Sequence, residues 1–272
     1  MSRAHLGPLL ASAGLLALAA THPVGAQQGA TPSPREIMEK NFFVTKVTTL
    51  HVDMAMSLIN SRGQRRERRN TTIVKLQPNG IDSRFLVRFS EPPDVAGTGL
   101  LQVEHSDGDD DLWIYLPALK KARRLVASNK KDSFAGSDFA YADIAIPKVD
   151  AYRHVLKGTE QVDGVTCYVI ESTPASDAVR SNNGYSRKIT WVRTDNFLEA
   201  KVEYYDLANR HFKTQRVAQH QPVASQAGKW FALEREMTNH QTGHRTLIVA
   251  TKIDGTTPVR DDVFSVRTLE RP

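Results

Sequence analysis

Cysteine is almost absent from this sequence of 272 residues, in which Cys167 is the single example. One cysteine excludes an intramolecular disulfide and any zinc or iron–sulfur site built from several thiolates. Extended apolar runs are equally scarce, because the sequence has one, at residues 9–20, and this excludes a protein with several membrane-spanning helices. The GxSxG, HExxH, GxxxxGK and GxGxxG motifs are also missing. No residue set therefore points to catalysis or to a cofactor.

The N-terminus has the organisation of a secretory signal peptide over residues 1–26. Arg3 supplies positive charge, residues 9–20 (LLASAGLLALAA) form the apolar stretch, and residues 24–26 (VGA) offer a small-residue cleavage site. The stretch is shorter than the roughly 20 residues of a membrane-spanning helix, although an uncleaved anchor is the alternative. We expect a mature chain from Gln27 onwards, exported to the periplasm of a Gram-negative bacterium and without a transmembrane segment.

The rest has the composition of an ordinary globular protein, with 40% hydrophobic and 24% charged residues. Its first element is predicted from a capping box, because Ser33 precedes Pro34 and lies three residues before Glu36. This pattern is typical of a helix start. An apolar stripe then predicts a helix that ends near Phe43.

From residue 47 onwards the sequence alternates between apolar and polar residues with period two, which indicates β-strands. In residues 47–59, for example, Leu50, Met54 and Leu58 fall on one predicted face. Further strands are predicted at residues 71–76, 84–89, 99–104, 112–116, 123–126, 165–171, 189–193, 198–205, 212–217, 230–237 and 244–253. Turn signals between them predict one antiparallel meander that curls, in a single domain over residues 27–272. A short helix is predicted over residues 138–144, with Ser137 as its N-cap.

Candidate metal ligands are weak. His240 and His244 have a spacing that would place both on one face of a helix, but the sequence around them is typical of a solvated hairpin. Residues 107–111 (DGDDD) resemble the start of a calcium loop, yet Leu112 stands where that loop has glycine. We predict no metal and no cofactor, and we interpret Cys167 as a small buried apolar residue.

Basic residues exceed acidic ones, and the formal net charge is +6. The excess is concentrated in two segments, with five arginines between residues 62 and 69 and four basic residues between residues 120 and 124. Such segments bind polyanions, anionic lipid headgroups or an acidic partner, or are simply solvated. Nucleic acid is disfavoured because the chain is expected to be exported and no aromatic residues interleave with the basic ones.

An ordered series of short motifs lies between residues 85 and 144. The series consists of FSEPP at residues 89–93, GT at 97–98, LWIYLPA at 112–118, RR at 123–124, GSDF at 136–139, Tyr141 and Asp143. On these motifs the chain resembles the outer-membrane lipoprotein-sorting proteins of the LolA-like superfamily, in the branch associated with RND-type exporters. The resemblance extends over the mature chain and implies a mainly β (α+β) fold. In that fold a curved antiparallel sheet forms an incomplete β-barrel with an N-terminal helix, short helical lid elements and an apolar cavity.

The resemblance also directs attention to particular side chains. The candidates for lining the lipid cavity are Leu112, Trp113, Ile114, Tyr115, Phe139 and Tyr141. Period two puts Trp113 and Tyr115 on one strand face and Leu112 and Ile114 on the other, and the pattern does not say which face lines the cavity. The candidates for holding a lid or a partner are Arg88, Arg123, Arg124, Asp138 and Asp143. The arginines would donate hydrogen bonds to lid carbonyls or to the two aspartates.

Three functional hypotheses remain. The first is a periplasmic carrier or accessory protein that binds lipid or the acyl chains of lipoproteins in an apolar cavity, without catalysis. It would act in transport toward the outer membrane or with an RND-type inner-membrane exporter. The second is a periplasmic sensor or adaptor of the same fold, acting through protein–protein contacts such as the arginine-rich hairpin. The third is an enzyme with an unrecognised site.

Overall fold

The computed structural model describes residues 1, 31–145, 148–224 and 226–271. The signal peptide predicted for residues 1–26 lies outside these ranges, apart from Met1. Helix α1 spans Pro34–Val44. The Ser33 hydroxyl accepts a hydrogen bond from the Glu36 backbone N–H at 3.3 Å, and the Glu36 carboxylate accepts one from the Ser33 backbone N–H at 2.7 Å. The predicted capping box and helix are therefore confirmed.

Within the described residues, thirteen strands form one antiparallel sheet. The strands are β1 (Thr49–Ile59), β2 (Arg65–Leu76), β3 (Ser83–Glu91), β4 (Gly99–Val103), β5 (Asp111–Leu116), β6 (Lys121–Arg124), β7 (Tyr152–Val162), β8 (Val165–Pro174), β9 (Arg187–Arg193), β10 (Glu199–Tyr205), β11 (His211–Pro222), β12 (Trp230–Asn239) and β13 (Arg245–Asp254). No helix in these ranges is both long and apolar enough to cross a membrane.

The order of the strands shows that the sheet does not close. Strands β1–β6 form one meander and β7–β13 form a second, and the two are joined because β1 pairs with β13. The outer strands β6 and β7 do not pair with each other in the described chain. The segment 125–151 connects these two edges. The predicted incomplete barrel is confirmed.

The helices and one edge strand differ from the prediction. Helix α2 spans Tyr141–Ile144 and begins three residues later than predicted. The Ser137 hydroxyl donates to the Phe134 carbonyl at 2.7 Å instead of capping a helix, and Asp143 accepts from the Ala140 N–H at 2.7 Å. Strand β7 and the helix α3, Asp177–Asn183, were not predicted. The last α-helix in the described residues is α4, Val266–Leu269.

Both faces of the sheet are packed. The inner face carries the main core, in which sheet residues such as Met56 and Val202 pack against Phe134 and Phe139 of the segment 125–151. The outer face of β3–β6 is covered by the C-terminal residues 259–269. The predicted burial of Cys167 is confirmed.

One glycine is required for this C-terminal packing. A Cβ atom at Gly99 would lie 2.6 Å from Leu269 Cδ1, which is too close for a larger residue unless the buried Leu269 side chain shifts. The close approach lets Leu269 become completely buried against β4.

Candidate functional site

A cavity of about 300 Å³ lies against the inner face of the sheet. Helix α1 borders it through Met38 and Phe42. We call the described residues of the segment 125–151 the lid, because Phe134, Phe139 and Ile144 of this segment border the cavity on another side. The volume is at the lower end of the range in which small-molecule sites are found.

One part of the cavity wall, on strands β1–β3 and β13, is mainly apolar. Strand β1 contributes Met54 and Met56, and the neighbouring β13 contributes Ile248 opposite Met56 and Ala250 opposite Met54. The other members of this apolar wall, on β1, β2 and β3, are Leu50, Val74, Phe85 and Val87. Period two produces this arrangement, since alternate residues of each strand point to the inner face.

The opposite part of the wall, on strands β7–β12, mixes polar residues with apolar ones such as Val202, Phe231 and Leu233. Its polar members are His154, Ser172, Lys188, Thr190, Glu199, Gln215 and Arg235. His154 Nδ1 lies 2.8 Å from the Ser172 hydroxyl, and His154 Nε2 lies 3.0 Å from the Val149 carbonyl oxygen. Burial lowers the pKa of the His154 imidazole below its usual range. The cavity therefore suits a ligand with both apolar and polar parts.

A buried ion pair marks one end of the cavity. Lys46 contacts the Glu104 carboxylate, and Lys46 is 1% exposed. Glu104 also accepts a hydrogen bond from the Ser83 backbone N–H at 2.7 Å. Burial raises the pKa of the Glu104 carboxyl above its usual range, against the opposing effect of Lys46.

Polar contacts hold the lid to the sheet. Asp143 accepts hydrogen bonds from Lys213 Nζ at 2.5 Å and from the Tyr185 hydroxyl at 2.7 Å. Asp138 accepts one from the Thr246 hydroxyl at 2.8 Å. Arg68 of β2 donates to the carbonyl oxygen of Ala135.

The predicted cavity residues separate into three groups. Phe139 borders the cavity. Leu112, Ile114 and Tyr141 pack in the inner core beside it. Trp113 and Tyr115 lie on the outer face, in the cluster that the C-terminal residues cover. Lipid contact by these six residues stays a prediction.

The residues predicted to hold a lid or a partner also fall into different parts of the structure. Asp138 and Asp143 are the acidic anchors of the lid. Arg88, however, donates to the carbonyl oxygens of Leu269 and Thr268, at 2.8 and 2.9 Å, and so holds the C-terminal helix.

The other two arginines lie at the strand edge. Arg124 pairs with Asp111, and Arg123 is exposed. Within the described residues, Arg68 is the arginine that bonds to a lid carbonyl, and Arg123 and Arg124 have no such bond.

The sequence did not identify Arg68, Tyr185, Lys213 and Thr246 as lid anchors. Lys213 is 3% exposed although it is a lysine. Its position in a period-two pattern, on the same face as Gln215 and Val217, is the one signal that points to its burial.

No group of three or more histidine, cysteine, aspartate or glutamate side chains within the described ranges is arranged to hold a metal ion. His240 is the first residue of the turn between β12 and β13, and its Nε2 lies 2.9 Å from the Thr214 hydroxyl.

Comparison with known proteins gives a family match and two close structural matches. A family model described as an uncharacterized protein matches residues 81–271. A Vibrio parahaemolyticus domain assigned to the outer membrane lipoprotein-sorting proteins is 30% identical with a TM-score of 0.80, over 88% of this chain and 98% of that domain. A DUF1329 family protein from Desulfovibrio piger is 29% identical with a TM-score of 0.79, over 88% of this chain and 100% of that one.

A more distant match concerns the fold alone. A LolA superfamily protein from Nitrosomonas europaea is 21% identical with a TM-score of 0.66, over 86% of this chain and 98% of that one. None of the curated proteins matches the chain.

Proposed function

We propose that this chain, which belongs to the family of outer-membrane lipoprotein-sorting proteins, is a non-catalytic carrier. It shelters acyl chains of lipids or lipoproteins in the cavity beneath the lid. In this proposal the protein acts in the periplasm, in transport toward the outer membrane or together with an RND-type exporter. The signal-peptide pattern of residues 1–26 supports export.

One observation carries this proposal: the apolar wall of β1–β3 and β13 faces a cavity that the lid borders. Transfer of an acyl chain from water to an apolar surface is favourable by about 0.8 kcal/mol per CH₂ group. A carrier must provide that surface without exposing it permanently, since large apolar patches aggregate. A lid held by polar contacts meets both requirements.

The lid contacts also provide a way to release the ligand. Asp138, Asp143 and Ala135 bond to three separate strands, β13, β11 and β2. When these polar groups separate, they can hydrogen-bond to water, whereas displacement of Phe134 and Phe139 exposes apolar surface of the inner core. In this proposal, cargo enters and leaves by displacement of the lid.

Two substitutions, each of an alanine by phenylalanine, test whether the cavity binds the acyl chain. Ala250 borders the cavity, whereas Ala55 lies on the neighbouring strand β1 with its side chain on the opposite face. A phenylalanine at position 250 would take the place of at least two CH₂ groups of the ligand, which corresponds to roughly tenfold weaker binding. We therefore expect A250F to weaken binding of a fluorescent fatty acid and A55F to leave it unchanged.

Native mass spectrometry of the protein isolated from a bacterial periplasm completes the test. We expect a bound lipid in the wild-type protein and less of it in A250F. Equal fatty-acid affinity in wild type, A55F and A250F, with all three folded, would contradict an acyl chain in this cavity.

A second candidate function is that of an adaptor. Arg62, Arg65 and Arg66 are exposed at the β1–β2 hairpin and have no ion pair with any described residue. Such arginines fit an acidic protein surface. For an adaptor, replacing the three arginines with glutamate would abolish capture of an inner-membrane partner such as an RND-type exporter, while fatty-acid affinity would stay the same.

A further inference from the structure

Lys188 differs from the other charged residues of the cavity wall because it has no ion pair with a described residue. Of these, Lys148 pairs with Asp110, Arg235 pairs with Glu199, Glu104 pairs with Lys46, and Asp143 pairs with Lys213. Within the described residues, Lys188 has no carboxylate partner and no side-chain hydrogen bond. A half-buried ammonium group without a partner loses part of its hydration and gains no ion pair in return.

An aromatic ring holds the Lys188 ammonium group in place. Its nitrogen lies 4.4 Å from the centre of the Tyr152 ring. Tyr152 is buried, and its hydroxyl accepts a hydrogen bond from Asn183 at 2.8 Å. A cation above an aromatic face is stabilised modestly. The ring therefore fixes the position of the charge without neutralising it.

The neighbours of Lys188 on the inner face supply polar groups but no negative charge. Ser172 on β8 and Tyr204 on β10 lie directly opposite Lys188. His154 on β7 lies directly opposite Ser172. Both ring nitrogens of His154 are hydrogen-bonded, one to the Ser172 hydroxyl and the other to the Val149 carbonyl oxygen. Thr190, two residues along β9, borders the cavity, and its hydroxyl has no hydrogen bond with another described residue.

The positions of the apolar and charged side chains in the cavity wall would orient an amphiphilic ligand. The apolar wall of β1–β3 and β13 borders the same cavity as Lys188 and Thr190 of β9, and the nearby Glu199 carboxylate is paired with Arg235. An acyl chain on the apolar wall would place its head near β9. An ammonium group pairs well with a carboxylate or a phosphate, because hydrogen bonds between charged groups are the stronger ones.

We propose that Lys188 binds the acidic group of the ligand, so that the cavity selects acyl compounds with a carboxylate or phosphate over neutral ones. Lys188 supplies the charge, and Thr190 donates a hydrogen bond to the same anion. The proposal rests on the proposed function, because it assigns the head of the molecule whose chain the apolar wall shelters. The apolar wall alone would not discriminate between a fatty acid and the corresponding alcohol.

The test compares ligands that share a hexadecyl or palmitoyl chain and differ in the head. Palmitate, hexadecyl phosphate and hexadecanol each displace a neutral naphthylamine fluorophore from the full-length mature protein, at about pH 8 so that the acids are ionised. We expect wild type to bind the two anions about tenfold or more tightly than the alcohol, from one charged hydrogen bond.

Substitutions then assign that preference to the lysine. We expect K188M to bind all three compounds with similar affinity and K188R to retain the preference for anions. K157M is the matched control, because Lys157 is an exposed residue of β7 that does not border the cavity. K157M should behave as wild type, which separates a local contact from a change in net charge.

The outcomes distinguish the two proposals. If palmitate and hexadecanol bind equally to wild type and to K188M, the acyl cavity stands and the role of Lys188 is overturned. If none of the three compounds displaces the fluorophore from folded wild type, the proposed function itself fails. Inorganic phosphate alone should compete weakly, and strong competition by it would mean that the site binds a free anion and not the head of a lipid.

Discussion

Lys213 Nζ lies 2.5 Å from the Asp143 carboxylate, and both side chains are almost completely buried, with exposures of 4% and 1%. The pair connects strand β11 to the lid across the inner core. Tyr185 adds a hydrogen bond to the same carboxylate at 2.7 Å. Polar groups thus help to fix the position of a lid that also makes apolar contacts through Phe134 and Phe139.

Removal of the Asp143 charge tests how strongly this pair holds the lid. D143N leaves the Lys213 ammonium buried without a carboxylate, and breaking a buried pair in this way costs about 3–5 kcal/mol. We expect a fall of that size in the free energy of unfolding, measured by urea denaturation. D262N is the control, because the pair of Asp262 with Arg260 is exposed and should contribute less than about 1 kcal/mol. Equal stabilities for D143N and D262N would show that the buried pair does not anchor the lid.

Arg88 and Arg123 offer a second comparison. Arg88 is half-buried and donates to the carbonyl oxygens of Gly97, Leu269 and Thr268, whereas Arg123 is exposed. We expect R88L to lower the free energy of unfolding by about 2–4 kcal/mol, since it removes three hydrogen bonds to half-buried carbonyls.

R123L should change the stability by less than about 0.5 kcal/mol, as is usual for exposed positions. Hydrogen exchange should locate the R88L effect in the C-terminal residues 259–269. Faster exchange in the lid instead would mean that Arg88 holds the lid, as the sequence predicted.

The sheet could be predicted where one strand face is buried and the other is exposed. In β1 the alternation is clear, since its inner residues pack and Asp53 on the other face is exposed. Strand β7 was missed because it is an edge strand with exposed residues on both faces, so its sequence has no apolar period. In β5 both faces are covered, by the inner core and by the C-terminal segment, and the pattern of Leu112 and Trp113 therefore did not show which face is inside.

The site was harder to predict because its contacts are distant in sequence. Asp143 meets Lys213 seventy residues later, and Asp138 meets Thr246 over an even longer separation. The motif around residues 136–143 identified the aspartates but not their partners. Which basic residue meets an aspartate depends on how the second meander returns to β1, and a single sequence does not specify that geometry.

Phe139 and Trp113 test the division between cavity and outer face. F139A removes a side chain that borders the cavity, and W113A removes one on the outer face. Each should destabilise the fold, by about 3–5 kcal/mol for a fully buried aromatic side chain and less for the half-buried Trp113. We expect F139A also to change the affinity for a fluorescent fatty acid by at least about threefold, from the lost or gained contact of one or more CH₂ groups. W113A should keep the wild-type affinity at a temperature where both variants are folded. A larger change in affinity in W113A than in F139A would place the ligand on the outer face of the sheet.

The stability of the protein should fall as the solution becomes mildly acidic. Burial lowers the pKa of His154 below its unfolded value of about 6.5, so that the unfolded chain binds a proton more readily than the folded one. The contribution of neutral His154 is therefore complete above about pH 6.5 and is lost as the pH falls from there toward the folded pKa.

We expect H154N to reduce the pH dependence of the free energy of unfolding between about pH 7.5 and 5.5, by at most about 1.4 kcal/mol per pH unit. Burial lowers the pKa of His220 as well, so part of the dependence should remain in H154N. The exposed His244 provides the control, and H244N should retain the wild-type slope. A slope in H154N as steep as in wild type would show that His154 is solvated in the folded protein, which would contradict its packing against Ser172 and Val149.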